Sequence, residues 1–211
     1  MRYRFAARSV AVAILALLAA PPFAAATASQ AGQVLALFGP CFVETAGHKA
    51  PLKLGDPVHV GDAVEVAAGG KLKLRMEDGS IIAVASNSRL TIRNYEVARN
   101  GAGREAALSL AHGLLRAVVS SLKGRSHFEV DTATGVAAVR STDWFIEAQA
   151  GSTQVGVLKG RVSLEGAATG RAVVIPAQWG ARVYAGKDPT PPRKWSHAEF
   201  ADVIRRTNLP R

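Results

Sequence analysis

The chain has 211 residues, of which 26 are lysine or arginine and 16 are aspartate or glutamate, and its formal net charge is +10. The single cysteine, Cys41, excludes an internal disulfide and a metal site built from several thiolates. We expect Cys41 to be a small buried strand residue next to Phe42, because reactive cysteines need an accessible, electropositive setting. The alternative is a reactive or intermolecular thiol.

The first 28 residues predict a cleavable secretory signal peptide. Arg2, Arg4 and Arg8 form a positive segment, an apolar run follows from Val10 to Ala20, and residues 26–28 read Ala-Thr-Ala, a typical cleavage site. The run is about half the ~20 apolar residues that a membrane span needs. We therefore expect residues 1–28 to be removed, leaving a periplasmic or secreted protein with no stable membrane span.

The mature chain of about 180 residues is long enough for one domain with its own core. Three arginines leave with the signal peptide, so 23 cations face 16 anions and the net charge becomes +7. In an exported protein this excess favours anionic envelope polymers or lipid headgroups over nucleic acid as partners. The alternative is that the charge only keeps the protein soluble.

Short apolar or alternating segments, separated by turn residues, follow one another through the mature chain. Leu72, Leu74 and Met76 alternate with cations, and the turn Asp78-Gly79 joins this segment to the next, which indicates a β-hairpin. The predicted strands are 34–38, 41–44, 63–66, 71–76, 80–84, 90–95, 106–110, 114–119, 127–130, 137–139, 144–147, 154–158, 161–164, 173–175 and 182–184. This spacing predicts an all-β fold, either a two-layer sandwich or roll or a solenoid-like arrangement, with a short C-terminal helix.

The composition changes after Gly186, where a proline-rich segment predicts a stiff linker. Ser196 and Glu199 have the spacing of a capping box, and Phe200 begins an apolar stripe that continues at Val203. The predicted organisation is a signal peptide at 1–28, an all-β domain at 29–186, a linker at 187–195 and a helix at 196–208. The helix docks either on its own domain or on a partner, and Phe200 is the candidate contact residue.

No motif in the sequence indicates an enzyme. The five histidines lack the spacing of a zinc site, and there is no nucleophile elbow, phosphate-binding loop or dinucleotide-binding loop. We therefore expect no catalytic residue, no metal and no cofactor.

Polar residues among the strands are the better candidates. Asp62 follows a glycine at a turn, where its carboxylate can accept hydrogen bonds from nearby backbone amides. Arg140, Thr142 and Asp143 lie between two apolar strands, so Arg140 is expected to be partly buried and to need acceptors from Asp143, Asp62 or turn carbonyls. This segment is either an internal brace or a ligand or partner site. Trp195, next to the linker, is the candidate for an exposed aromatic anchor.

Several of these segments together resemble the FecR-domain family. The first half of such a domain is similar to residues 54–56, 60–62 and 72–74 and to the turn at 78–80. The second half is similar to 128–132, 136–142, Phe145 and 155–162. The likeness extends over about 34–184. This chain has Ser141 where the family usually has a glycine, which indicates a relaxed backbone or some strain there.

The family's founding members are membrane regulators with a cytoplasmic anti-sigma segment, one transmembrane helix, a periplasmic β domain and a small subdomain that meets an outer-membrane transporter. The likeness covers only the periplasmic β domain of these regulators and not their cytoplasmic anti-sigma segment. It therefore implies a stand-alone periplasmic FecR domain without direct sigma-factor control. It implies a non-enzymatic binding or scaffold module, tied to cell-surface signalling, whose partner is an envelope protein or an anionic envelope polymer. The alternative function is binding of a cell-wall glycan, for which the basic excess and the tryptophans argue.

Overall fold

The computed structural model describes residues 28–99 and 101–209, so the predicted signal peptide lies outside the described residues except for Ala28. Seventeen strands and one helix are found in these ranges: β1 (Gln30–Phe38), β2 (Cys41–Thr45), β3 (His48–Pro51), β4 (Pro57–His59), β5 (Ala63–Val66), β6 (Lys71–Met76), β7 (Ile81–Val84), β8 (Ser88–Val97), β9 (Arg104–Val118), β10 (Ser126–Asp131), β11 (Gly135–Val139), β12 (Asp143–Gln149), β13 (Ser152–Lys159), β14 (Arg161–Gly166), β15 (Ala172–Pro176), β16 (Trp179–Tyr184), β17 (Arg193–Lys194) and α1 (His197–Thr207). The predicted all-β fold with a short C-terminal helix is confirmed.

The strands form two sheets that share the long strand β9. Sheet 1 has the order β4-β1-β6-β7-β9-β12-β13-β16-β17, and sheet 2 has the order β3-β2-β5-β8-β9-β10-β11-β14-β15. Apart from the first pair of each sheet, where β4 lies outside β1 and β3 lies outside β2, both sheets advance in chain order, because the chain visits them alternately. The fold therefore combines the two predicted architectures: it is a two-layer sandwich whose strands progress along the molecule as in a solenoid.

Strand β9 crosses from one layer to the other. In sheet 2, its residues 104–112 pair with β8 and its residues 104–109 pair with β10. In sheet 1, its residues 113–118 pair with β12 and its residues 115–118 pair with β7. Gly113 lies at the crossing with a φ of 97°, which favours glycine, and a side chain there would also overlap Ser88. Residues 106–110 and 114–118, predicted as parts of two separate strands, therefore belong to one bent 15-residue strand.

Alternating aliphatic side chains fill the space between the sheets. In β6, Leu72 and Leu74 are fully buried while Lys73 and Arg75 point to the outside, as the sequence pattern predicted. Residues from both sheets form one continuous core cluster, which includes Trp144. Each fully buried leucine contributes about 1.5–3 kcal/mol relative to an exposed one.

Cys41 belongs to this core. Its side chain is 3% exposed, and its sulfur lies 3.6 Å from the carbonyl oxygen of Lys71. Burial raises the pKa of the Cys41 thiol, so the thiol is protonated near neutral pH. The prediction of a buried strand cysteine is confirmed.

Helix α1 packs on the outer face of sheet 1, and the predicted capping box at Ser196 and Glu199 is present. The side chain of Phe145 points away from the central core, with its ring centroid 5.0 Å from that of Trp195 and 6.2 Å from that of Phe200. Gly180 makes room for this cluster, since a Cβ there would overlap the indole of Trp195. The helix therefore docks on its own domain.

Two predictions about this region are corrected. Trp195 is no exposed anchor: it is only 6% exposed, because the outward-facing Phe145 gives it an apolar surface to cover. Phe200 is buried in the same cluster, which agrees with the predicted alternative that the helix docks on its own domain. Residues 193–194 of the predicted linker form the short strand β17 against β16.

Within the described ranges, no helix has both the length and the apolar character that crossing a membrane requires.

Candidate functional site

The structure places Asp62 away from the segment 140–143. Its side chain is buried, accepts a hydrogen bond from the backbone amide of His59 at 2.7 Å and accepts another from the hydroxyl of Thr45 at 2.5 Å. The predicted bonding of the Asp62 carboxylate to a nearby backbone amide is therefore found. Asp62 holds a corner between β4 and β5 and belongs to no cavity that contains Arg140.

Within the segment 140–143, two residues act as braces. The hydroxyl of Thr142 donates to the carbonyl oxygen of Arg161 at 3.2 Å, and the carboxylate of Asp143 accepts two hydrogen bonds from Arg116 at 2.9 and 2.8 Å. Arg140 differs from the prediction, because its side chain is exposed and pairs with neither Asp143 nor Asp62. It follows the inward-facing Val139, so the alternation of the strand turns it to the outside.

Arg140 lies at one end of a concave surface on the outer face of sheet 2, which we call the outer groove. The groove has a volume of about 510 Å³ and lies over β10, β11, β14 and β15. Its floor consists of small or short side chains, because Ala138, Ser163 and Val174 stand opposite one another in three neighbouring strands. The groove is lined by Ser126, His127, Ala138, Val139, Arg140, Ser141, Thr142, Arg161, Val162, Ser163 and Val174.

The outer groove carries uncompensated positive charge. Arg140 and Arg161 are both exposed, and neither forms an ion pair with any residue in the described part of the chain. His127 is paired instead, with its Nε2 atom 3.0 Å from the carboxylate of Glu129. Two arginines next to an apolar floor can hold a carboxylate while apolar groups beside it contact the floor.

A buried arginine, Arg104, holds the backbone at Arg140 from the interior of the sandwich. The guanidinium of Arg104 donates to the carbonyl oxygen of Arg140 at 2.6 Å, to the hydroxyl of Ser126 at 2.7 Å and to the carbonyl oxygen of Ser120 at 2.9 Å. It also forms an ion pair with Asp78, and both side chains are completely buried. Arg104 thus joins the β6–β7 turn in sheet 1 to two residues that line the groove in sheet 2.

The carboxylate of Asp78 is held ionised by its partners. Burial by itself raises the pKa of Asp78, but hydrogen bonds from Ser80, Tyr95 and Arg104 outweigh burial and bring this pKa below its usual range. The Tyr95 hydroxyl donates to Asp78 at 2.7 Å, and burial together with the Asp78 charge raises the pKa of Tyr95, which keeps it a neutral donor. The turn at Asp78-Gly79 was predicted from sequence, whereas this network was not.

We expect the contribution of Asp78 to stability to depend on pH. Its folded pKa is below the unfolded value of about 3.9, so the stabilisation is complete above that value and is lost as pH falls through the folded pKa. Between about pH 6 and about pH 3, the difference in the free energy of unfolding between wild type and Asp78→Asn should therefore stay constant above about pH 5 and shrink below about pH 4. Urea unfolding of both proteins at several pH values measures this.

Other acidic groups do not affect the difference between wild type and Asp78→Asn, because they titrate in both proteins. Glu199, whose pKa is lowered to about 2 by its hydrogen bonds with Arg193 and Ser196, titrates in both proteins and cancels. A stability difference that stays constant over this pH range would contradict an ionised Asp78.

Ser141 occupies its position without strain. Its φ is not positive, unlike that of Gly160 across from it, where φ is 89°. A Cβ at Gly160 would come within 2.9 Å of the Ser141 carbonyl oxygen, so the close approach between these two turns depends on Gly160. Of the two predicted outcomes for Ser141, the relaxed backbone is found.

Comparison with known proteins gives the following similarities. Residues 62–163 match the family model of the FecR protein. Two crystal structures of a candidate anti-sigma factor from Parabacteroides distasonis ATCC 8503, at 1.65 and 2.50 Å resolution, each align with a TM-score of 0.53 and 13% sequence identity over 66% of this chain. The alignment spans 62% of that protein's own chain. At this identity the likeness establishes the fold alone, and no curated protein matches the chain in sequence.

The matched range contains nearly the whole outer groove. All of its lining residues except Val174 lie between residues 62 and 163, and so do Asp78 and Arg104. Helix α1 and the aromatic residues Trp195 and Phe200 lie outside this range. The groove and its buried support are therefore features of the matched domain.

Proposed function

Since the chain carries a FecR domain at residues 62–163, as its motifs predicted, we propose that it is a non-catalytic signalling module of the cell envelope that binds an acidic segment of another protein in the outer groove. The observation that carries this proposal is the pair Arg140 and Arg161, which have no ion-pair partner among the described residues and lie next to a mostly apolar floor. A site that binds only a polyanion needs no apolar floor. A peptide carries carboxylates together with apolar groups that can contact such a floor.

The location in the envelope rests on the signal peptide predicted at residues 1–28. We propose a periplasmic or secreted mature protein, in agreement with the basic excess and the single buried cysteine. Finding the unprocessed chain in the cytosol would contradict this location.

The structure gives less support to binding of a cell-wall glycan. Exposed tryptophans commonly form the platforms on which sugar rings stack, and the three tryptophans motivated that alternative. Trp144 and Trp195 are buried, and Trp179 is 37% exposed. Binding to an anionic envelope polymer is accordingly an outcome that the following experiment separates from protein binding.

We expect the mature protein to bind poly-L-glutamate, and the double variant Arg140→Ala/Arg161→Ala to bind it at least about tenfold more weakly, because two charge-assisted hydrogen bonds are lost. Fluorescence anisotropy at a series of salt concentrations measures the affinity, which should fall as salt rises. Dextran sulfate serves as the non-peptide polyanion.

The matched control is Lys53→Ala/Lys123→Ala, which removes the same charge from exposed positions outside the groove. If this control weakens poly-L-glutamate binding as much as the groove variant does, the attraction is a general effect of net charge and the proposal is wrong. Equal loss of dextran sulfate binding in the groove variant would identify the partner as an anionic polymer.

A further inference from the structure

The four edge strands of the sandwich differ in how they are protected against pairing with another chain. Proteins protect edges with short strands, prolines and charged side chains. In β3, Lys49 and Pro51 provide this protection; β4 has three residues and begins with Pro57; β17 consists of two cationic residues. The fourth edge, β15, has the sequence Ala-Val-Val-Ile-Pro, which contains no charge and has proline only at its end.

The backbone of β15 has hydrogen-bonding groups directed at solvent. Among the described strands, β15 pairs with β14 alone. The amide of Gly166 donates to the carbonyl oxygen of Arg171 at 2.9 Å at the start of this pairing. Because bonded pairs alternate along an antiparallel ladder, Val173 and Ile175 bond to β14. The amides and carbonyls of Ala172 and Val174 therefore face the open edge.

This open edge borders the outer groove. Val174 is 62% exposed and lies in the groove lining, directly beside Ser163 of β14. Arg161 stands opposite Pro176 at one end of the edge. A strand added next to β15 would alternate its side chains between the outer face, which carries the groove, and the inner face, which continues the core.

We propose that an extended acidic segment of a partner protein pairs with β15 as a further strand of sheet 2 and directs its carboxylates toward Arg161 and Arg140. Charge decides between this occupant and a second copy of the same chain. A second copy would bring together two mature chains with a net charge of +7 each, from 23 cations and 16 anions, whereas an acidic segment is attracted. This inference rests on the proposed function and adds to it the backbone pairing.

The probe is a synthetic peptide of about seven residues in which valine and glutamate alternate, so that in an extended conformation all glutamates share one face. A control peptide has the same sequence with N-methyl groups on alternate backbone nitrogens, which keeps the charge and blocks one side of a ladder. We expect the unmethylated peptide to bind wild-type protein about tenfold or more tightly than the methylated one, because ladder hydrogen bonds are lost. We also expect it to slow hydrogen exchange at the amides of Ala172 and Val174.

The matched protein variants are Val174→Pro and Val174→Ala. Proline at position 174 removes an edge donor without removing a hydrogen bond to β14, whereas alanine shortens the same side chain and keeps the donor. We expect Val174→Pro to reduce peptide affinity about tenfold and Val174→Ala to reduce it much less.

The outcomes separate the inference from the proposed function. If both peptides bind equally, depend on Arg140 and Arg161, and leave the exchange at Ala172 and Val174 unchanged, strand addition is wrong, while binding of an acidic segment in the outer groove stands. If neither peptide binds, both ideas are overturned. Self-association of the free protein that Val174→Pro abolishes would identify a second copy as the occupant and also overturn the acidic segment. The comparison of the two peptides and the hydrogen-exchange measurement both use wild-type protein. They therefore test strand addition even if Val174→Pro does not fold.

Discussion

Replacing Arg104 by leucine is expected to lower the free energy of unfolding by about 3–5 kcal/mol, because it leaves the carboxylate of Asp78 buried without its cationic partner. It also leaves the carbonyl oxygens of Ser120 and Arg140 without this donor. Urea unfolding near neutral pH, followed by circular dichroism, measures the change.

The control for this prediction is another arginine–aspartate pair at the surface. Arg93 bonds Asp131 at 2.9 Å, but the Arg93 side chain is 57% exposed, so Arg93→Ala should cost no more than about 1 kcal/mol. Similar losses in the two variants would show that the Arg104–Asp78 pair is not a buried brace. The double variant Asp78→Asn/Arg104→Leu should be less destabilised than the sum of the single changes, because neither charge is then buried alone.

The Arg104 prediction connects stability with binding. Arg104 holds the backbone of Arg140 and the hydroxyl of Ser126, both of which line the outer groove. Even under conditions where Arg104→Leu is fully folded, we therefore expect it to bind an acidic peptide more weakly. In this respect Arg104 is a positioning residue, because it acts on the groove through Arg140.

Replacing Trp195 by alanine is expected to cost about 3–5 kcal/mol, the usual range for deleting a large buried aromatic side chain. The change removes the ring that lies between Phe145 and Phe200. Because α1 depends on this cluster, hydrogen exchange across His197–Thr207 should become faster than exchange in the strands of the sandwich.

Trp179 provides the control of the same residue type. It is 37% exposed and lies outside the aromatic cluster, so Trp179→Ala should have a much smaller effect on the free energy of unfolding. If Trp195→Ala were as mild as Trp179→Ala and left the exchange of α1 unchanged, the docking of the helix on sheet 1 would be wrong.

The sequence predicted those features that depend on neighbouring residues. The alternation of Leu72 and Leu74 with cations identified the buried face of β6, and the Asp78-Gly79 turn identified the hairpin that follows. The spacing of Ser196 and Glu199 located the start of the helix. In each case the physical cause acts within a few residues, so it is visible as a local pattern.

Features that depend on distant strands were not predictable in this way. Arg104 is buried because the β6–β7 turn and the ends of β9, β10 and β11 converge on it, and no local pattern marks that position. Trp195 is buried because Phe145 faces outward from the middle of sheet 1. The outer groove exists because short side chains of three strands stand in register, which only the pairing of the strands determines.

The chain-order progression of both sheets has a consequence for how the molecule opens. Since strands that are near in sequence are mostly also neighbours in a sheet, the terminal pairs can separate without breaking those in the middle, as in repeat proteins. We expect native-state opening to begin at the two extremities and to reach β9 last, because that strand belongs to both layers. A ligand bound at β15, the edge strand of sheet 2, would then stabilise that end of the molecule. It would thereby slow the stepwise opening of the strands that follow β9.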